Sequence, residues 1–391
     1  VRDTLQLTAD DSSLSFLPYC HAGERLFGLY TRILCGMRAT LVPDLSALWE
    51  AQRAANATLF GGMPRFFEKV YEGLLAARGE LAGEDAARWD RAVARGRERG
   101  RLRQAGGSVP AALDASWCDD RAVIALVLAR YFGTRLRLAT SGGAALPLEV
   151  AEYLDACGVT VLGAYGQTEH LCAAFNRPER YRHDAVGVAM PGTTIRIGED
   201  GEVQLQRSAL TFSGYHRRPE ASRAAFTDDG EWLRTGDLGT LDADGFLRIT
   251  GRIKELIALS NGKKVAPAPL EARLASGDLI AHAVVHGEGR PYLVALLALR
   301  WPLVERWQQA RGIVATRREL VSHPALLAAL GEEVARANAA VSRPEQVRRF
   351  AVLPHDLTVE ADELTATLKV RRAVVIDRHR PLLEALYTEP A

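Results

Sequence analysis

The chain has 391 residues, 48% apolar and 25% charged, with a formal net charge of +1. That length exceeds what one typical core serves, so two or more domains are expected, and the balanced charge excludes a broad electrostatic footprint for nucleic acid. Five cysteines (Cys20, Cys35, Cys118, Cys157, Cys172) show no CxxC or His-paired spacing, so they read as buried thiols in a reducing, cytoplasmic compartment and not themselves as a disulfide framework or zinc site.

No apolar run is long enough for a membrane span, and the first residues do not read as a signal peptide. Along the chain, "SLSFLPYCHAGE" reads as a strand and loop, "RLFGLYTRILCG" as a helix, "RATLVPD" as a short strand, and "ATLFGGMPRFFEKVYEGLL" as a strand turning into a helix. Residues 76–108 are rich in Ala, Arg and Glu, with Gly96, Gly100, Gly106 and Gly107 as breakers, and predict a solvated helical hairpin. Six arginines between Arg91 and Arg103, against one acid, give a second reading of that stretch as a peripheral membrane patch for anionic head groups.

From 135 to 169 the pattern is strand, helix, strand: "RLRLATSGGAA", then "LPLEVAEYLDACG" bracketed by Pro147 and Gly158, then "VTVLGAYGQTE". Such a crossover makes the strands parallel, and both polar loops then lie beyond their carboxyl ends, where open α/β sheets bind ligands. Residues 187–250 switch to period-two alternation with DG turns at Gly201 and Gly245, a small antiparallel unit. After Arg252 come the loop "SNGKKVAP", a helix around "PLEARL", a hairpin "AHAVVHGEGRPYLVALLAL", helices, a strand "RRFAVL", and "RAVVIDRHRPLLEALY". The expected fold is therefore α/β. Residues 1–252 form a large domain, with parallel βαβ layers over 1–186 and a β-rich part over 187–252, and residues 253–391 form a compact C-terminal α/β domain.

Of 49 basic residues only five are lysines (Lys69, Lys254, Lys263, Lys264, Lys369), which leaves 49 − 5 = 44 arginines. Lys369 stands in "ELTATLKVRR", in a stretch where every other long basic side chain is arginine. Four further polar segments need explanation: "TSGGAA", "GAYGQTE", "LRTGDLG" and "GRIKELIALSNGKK". Each alone is a common turn or strand; their order is what is specific. His282 and His286 lie on one strand with no neighbouring Cys or carboxylate cluster and do not read as metal ligands.

These segments, in this order, resemble the core motifs of the adenylate-forming superfamily of acyl-CoA synthetases, adenylation domains and luciferases. "LPYCHAGERLFG", "MPRFFEKVY", "SNGKKVAPAPLE" and "ELTATLKVRR" are most similar to the long-chain fatty acyl-CoA synthetase branch, from about residue 14 to the C-terminus. The resemblance implies ATP-dependent activation of a fatty acid to an acyl-adenylate and transfer to CoA, with ATP, Mg²⁺ and CoA required. A carrier-protein thiol as acceptor, or a non-catalytic adenylate-binding remnant, are the alternatives.

Residue by residue, it implies adenine against Gly142, Gly143, Ala144 and Ala145, with the Tyr165 ring and Gly166 beside it. Thr168 then offers a hydroxyl to the α-phosphate, Glu169 is the Mg²⁺ ligand, and Asp237 accepts the ribose hydroxyls. Arg252 binds ribose or phosphate oxygens, Lys254 is the hinge, and Gly262 lines the pantetheine path, where a bulky side chain should block the thiol. Lys263 and Lys264 are either solvated or meet CoA phosphates, and His21 is either a gate on the acyl side or a structural histidine. Lys369 is the catalytic lysine that bridges the substrate carboxylate and the α-phosphate, a task for a compact ammonium on a flexible stem. The family's Gly/Ser/Thr-rich phosphate loop with its lysine has no counterpart here. The expectation is a fragment of a longer enzyme or a shortened relative, with an uncovered sheet edge and an exposed apolar face.

Overall fold

Short apolar runs ending in small or polar residues become the strands of the main sheet. These are β1 (Ser12–Ser15), β2 (Arg38–Leu41), β3 (Leu59–Gly62), β4 (Leu138–Ser141), β5 (Val161–Tyr165), β6 (Ala174–Phe175) and β7 (Val188–Ala189). The computed structural model describes residues 1–365 and 369–388 and divides into two units, Val1–Ile249 and Thr250–Ala391. The strand order is β2-β1-β3-β4-β5-β6-β7. The pairs from β2 to β5 are parallel, and β6 and β7 add antiparallel ladders at the β5 side. β2 is an edge strand; its Leu41 and the helical residues Ile33 and Leu34 before it are largely exposed.

The crossover from β4 through the helix Leu148–Cys157 to β5 has the parallel register its pattern predicts, with Pro147 and Gly158 at the helix ends. Residues 83–104 differ from expectation. They form one 22-residue helix, Gly83–Gln104, with Trp89, Ala92, Gly96 and Gly100 buried, instead of a solvated hairpin. The glycines do not break it, because they are where the crossover helix arrives: a Cβ on Gly96 would lie 2.1 Å from the Ala156 carbonyl oxygen, and one on Gly100 2.8 Å from the Asp155 carboxylate. Small residues let the two helices approach closely, and tertiary packing overrides the low helix propensity of glycine.

Four of the six arginines in the run meet acids. Arg91 and Arg95 pair with Asp120, Arg99 lies 2.6 Å from Asp114, and Arg103 reaches Asp155 at 4.0 Å. The acids come from the helix Ala111–Phe132 and from the crossover helix, so the alternating charges tie the helical layer together. The cysteines are corrected too: all five are free thiols, but only Cys157 is buried, and Cys20 and Cys118 are exposed. Among the described residues no helix is long and apolar enough to cross a membrane.

A four-stranded antiparallel sheet has the order β11-β10-β9-β8, built from β8 (Ile195–Ile197), β9 (Glu202–Gln206), β10 (Trp232–Leu241) and β11 (Leu247–Arg252). In the second unit, β12 (Ile257–Ala258) and β13 (Lys264–Val265) form a two-stranded hairpin. There β14 (Ile280–His286) and β15 (Leu293–Leu299) pair antiparallel, and β16 (Val347–Val352) pairs parallel to β15. Helices including Pro267–Leu274 and Pro324–Ala339 pack their apolar faces on one side of that three-stranded sheet, whose central strand β15 is buried throughout. Parallel-sheet and sandwich cores favour such unbroken apolar runs.

Candidate active site

The parallel crossover places the loops after β4 and β5 at the same end of the sheet. The first loop carries Gly142, Gly143, Ala144 and Ala145; the second carries Gly166, Gln167, Thr168 and Glu169, the last two opening a short 3₁₀ turn, Thr168–His170. Tyr165, the final residue of β5, is buried and donates its hydroxyl to Asp237 Oδ2 at 2.7 Å. Asp237 itself is only 3% exposed. It comes from β10, where the register against β9 shifts between Arg234 and Leu238.

That irregularity explains how "RTGDLG" aims its aspartate. Within the shifted segment the Thr235 hydroxyl donates to the Val203 carbonyl at 2.6 Å, and the Asp237 N–H donates to Thr235 Oγ1 at 3.1 Å. The Gly236 N–H donates to the buried Glu202 carboxylate at 2.8 Å. Bulges of this kind leave ladder positions open and redirect a side chain, and they recur beside active sites.

Thr168 is exposed and Glu169 half-buried. Tyr215, which lies outside every sequence motif, donates its hydroxyl to Glu169 Oε1 at 2.6 Å. That hydrogen bond, with some burial and the nearby negative charge, pushes the Tyr215 phenol up to about 12. Next in the chain after Glu169, His170 is 1% exposed, and neither of its ring nitrogens has a hydrogen-bond partner among the described residues. Burial pulls its imidazole below the ordinary value, so the ring is neutral over a wider pH range than a free histidine. Ser141 Oγ and Gln167 Nε2 are likewise buried without a partner among the described residues. The two loops thus hold unsatisfied polar atoms beside a carboxylate and a hydroxyl, a donor set that suits a polar, anionic ligand and a hard cation.

His21 lies in the loop after β1, where its Nδ1 accepts the Gly23 N–H at 3.2 Å. The π-helix Glu24–Tyr30 follows, and its buried Glu24 takes the Ser15 hydroxyl at 2.5 Å and Arg32 at 3.2 Å. His21 thus has a local structural contact, at the entrance to a helix type that often marks functional sites.

Arg252, Lys254, Gly262 and Lys369 belong to the second unit. Arg252 ends β11 and Lys254 follows in the turn Ile253–Glu255, both exposed. Gly262 sits in the β12–β13 hairpin at φ +80°, and a Cβ there would meet nothing within 4 Å. Within this structure the demand on Gly262 is therefore conformational: the Asn-Gly turn needs positive φ. Lys369 is exposed and anchored by its backbone: its N–H donates to Thr365 Oγ1 at 3.0 Å, and its carbonyl accepts the Thr365 N–H at 2.8 Å. Residues 366–368 of that motif lie outside the described residues.

The AMP-binding enzyme model matches residues 1–214, and the model of the AMP-binding enzyme C-terminal domain matches residues 254–391. Long-chain-fatty-acid–CoA ligase FadD15 of Mycobacterium bovis is 35% identical over 390 residues, covering 96% of this chain and 62% of its own length. The putative fatty-acid–CoA ligase fadD11 of Mycobacterium tuberculosis is 33% identical over 393 residues, covering 99% of this chain and 68% of its own. The chain therefore spans about three-fifths to two-thirds of these relatives. Among solved structures, the adenylation domain of a carboxylate reductase from Mycobacterium chelonae aligns with a TM-score of 0.73 at 23% identity, over 96% of this chain and 54% of that one, a likeness of fold.

Proposed function

The chain belongs to the AMP-binding enzyme family, and from that premise we propose that it activates a long-chain fatty acid as its acyl-adenylate and passes the acyl group to coenzyme A. The observation that carries this reading is the buried Tyr165–Asp237 pair, which joins the end of β5 to the bulged β10. An aromatic face and a two-oxygen acceptor, side by side, suit a base and its ribose.

In the first half-reaction a carboxylate oxygen of the fatty acid attacks the α-phosphorus of ATP, the bond to the bridging oxygen breaks, and pyrophosphate leaves. The protein's part is positioning and charge neutralisation. Tyr165 stacks on adenine beside Gly142–Ala144 and Gly166, Asp237 accepts the ribose hydroxyls, and the Thr168 hydroxyl donates to the α-phosphate. Glu169, with hard carboxylate oxygens, would hold Mg²⁺, which neutralises phosphate charge when bound; the Tyr215 hydroxyl then yields its place. Arg252 supports ribose or phosphate oxygens.

Lys369 places its ammonium between the substrate carboxylate and the α-phosphate, and leaves again when the second unit turns about Lys254. The CoA thiol, arriving past Gly262, gives up its proton; its sulfur attacks the acyl carbon and AMP departs. His21 stands on the acyl side. Peripheral membrane contact forms no part of this reading, since four of the six arginines that suggested it meet acids.

The test is fatty-acid-dependent ATP–pyrophosphate exchange, followed by thioester formation with free CoA or with a phosphopantetheinylated carrier protein. Exchange and CoA thioester are expected. Transfer to the carrier alone would replace the acceptor in this reading. Binding of an acyl-adenylate analogue without any exchange would reduce the chain to a binding protein.

A further inference from the structure

Three separate segments of the second unit bring two imidazoles and a carboxylate together. His355 follows β16, Glu363 stands next to the pairing of Leu364 and Thr365 with Val370 and Lys369, and His379 lies between the helices Arg372–Arg378 and Arg380–Thr388. One potential ligand atom from each falls within 4.8 Å of the other two. His379 Nε2 is 3.3 Å from Glu363 Oε1, and His355 Nε2 is 3.9 Å from the same oxygen. Glu363 is wholly buried and His379 nearly so, while His355 is half-exposed.

A buried ion pair accounts for part of this cluster. Arg378 lies 2.9 Å from Glu363 Oε1, and together with His379 it compensates the carboxylate. It accounts neither for the second imidazole nor for Glu363 Oε2, a buried oxygen without a hydrogen-bond partner among the described residues. Carboxylates sealed from water normally satisfy both oxygens.

We propose that His355, Glu363 and His379 form a site for a divalent transition ion of the zinc class, with solvent as the fourth ligand. The donor set decides the class: two imidazoles and one carboxylate suit Zn²⁺ or Co²⁺, whereas Mg²⁺ and Ca²⁺ take mostly oxygen. Tetrahedral ligands at zinc distances stand roughly 3.4 Å apart. His379 and Glu363 already have that spacing, and the half-exposed His355 closes the rest by a small rotation. Arg378, whose side chain is 40% exposed, swings outward to make room.

The consequence lies in what the ion would pin. Glu363 accepts the Arg371 N–H through its backbone carbonyl at 2.8 Å, Leu364 bridges Val370, and Thr365 pairs with Lys369. An ion held at Glu363 would therefore fasten the backbone paired with Lys369 to the C-terminal helices. Only that significance rests on the proposed function; the binding itself does not.

The experiment titrates the whole chain with Zn²⁺ by calorimetry and with Co²⁺ by visible absorption, without ATP or fatty acid. One equivalent should bind, with a tetrahedral Co²⁺ spectrum lacking the thiolate charge-transfer band that the free cysteines would give. His355→Ala and His379→Ala should each weaken binding by more than about tenfold. Arg378→Gln removes the competing cation and should leave binding intact or tighter. If His379→Ala does not fold, the variant at the half-exposed His355 decides the matter. The proposal is overturned if the native chain binds no stoichiometric ion, if His355→Ala binds as well as native, or if Arg378→Gln weakens binding as the histidine variants do.

Discussion

Tyr165 and Asp237 are 72 residues apart in sequence, yet their side chains meet through a 2.7 Å hydrogen bond that links the end of the parallel sheet to the bulged strand of the antiparallel one. The donor is neutral and the acceptor a carboxylate, so the bond is charge-assisted, and both partners are buried. Tyr165→Phe keeps the ring and removes the donor. It should cost about 1–3 kcal/mol in a chemical denaturation series, the usual range for taking away a hydrogen bond to a buried charged group. An unchanged stability would mean that water replaces the hydroxyl and that the pair does not organise the site.

The contact between Tyr215 and Glu169 makes a titration prediction. The Tyr215 phenol should lose its proton only near pH 12, above its ordinary value of 10.0, because Glu169 accepts its hydrogen bond. The group's folded-state pKa is raised, so its stabilising effect is complete below the ordinary tyrosine pKa and lost as pH rises through about 12. NMR of ring-labelled tyrosine, assigned with Tyr215→Phe, should show the midpoint fall toward the ordinary value in Glu169→Gln. A midpoint that does not move would dissociate the two residues.

His170 offers a stability test. A buried imidazole whose two nitrogens have no partner among the described residues is held at a cost, and an apolar side chain of similar reach removes the unsatisfied groups. His170→Leu should raise stability by about 1 kcal/mol by thermal or chemical denaturation. A loss of stability instead would show that those nitrogens are satisfied in solution.

At Gly262 the turn and the path can be separated. Alanine at φ +80° should cost about 1 kcal/mol, and Gly262→Asn less, since asparagine tolerates the left-handed region. If the thiol also passes here, Gly262→Leu should abolish thioester formation while leaving adenylation, and Gly262→Asn should reduce it less. Equal rates of thioester formation in Gly262→Leu and the native chain would confine the glycine's role to the turn.

What is legible in the sequence is local. Period-two alternation with DG turns marks the antiparallel unit, and Pro147 and Gly158 bracket the crossover helix, whereas the stretch around Gly262 reads as a loop and its two-stranded hairpin emerges only in the fold. The helix Gly83–Gln104 is not legible as one helix, because Gly96 and Gly100 answer to Ala156 and Asp155 on another helix, contacts that no local pattern encodes. The helix Ala111–Phe132 does not stand out either, since its apolar residues are spread around the helix instead of gathered into one stripe. The motif residues Tyr165, Glu169 and Asp237 can be named from sequence, but not the bond between two of them nor the Tyr215 partner of the third. The His355, Glu363 and His379 cluster has no spacing signature, because it exists only once three segments have folded together.

Adenylate formation that depends on Lys369 is the central claim, and fatty-acid-dependent ATP–pyrophosphate exchange in Lys369→Ala tests it most directly. The account predicts that exchange falls by at least about a hundredfold, as for loss of a transition-state charge contact, while an acyl-adenylate analogue still binds the variant and Asp237→Asn weakens that binding. Exchange at the native rate in Lys369→Ala would contradict it.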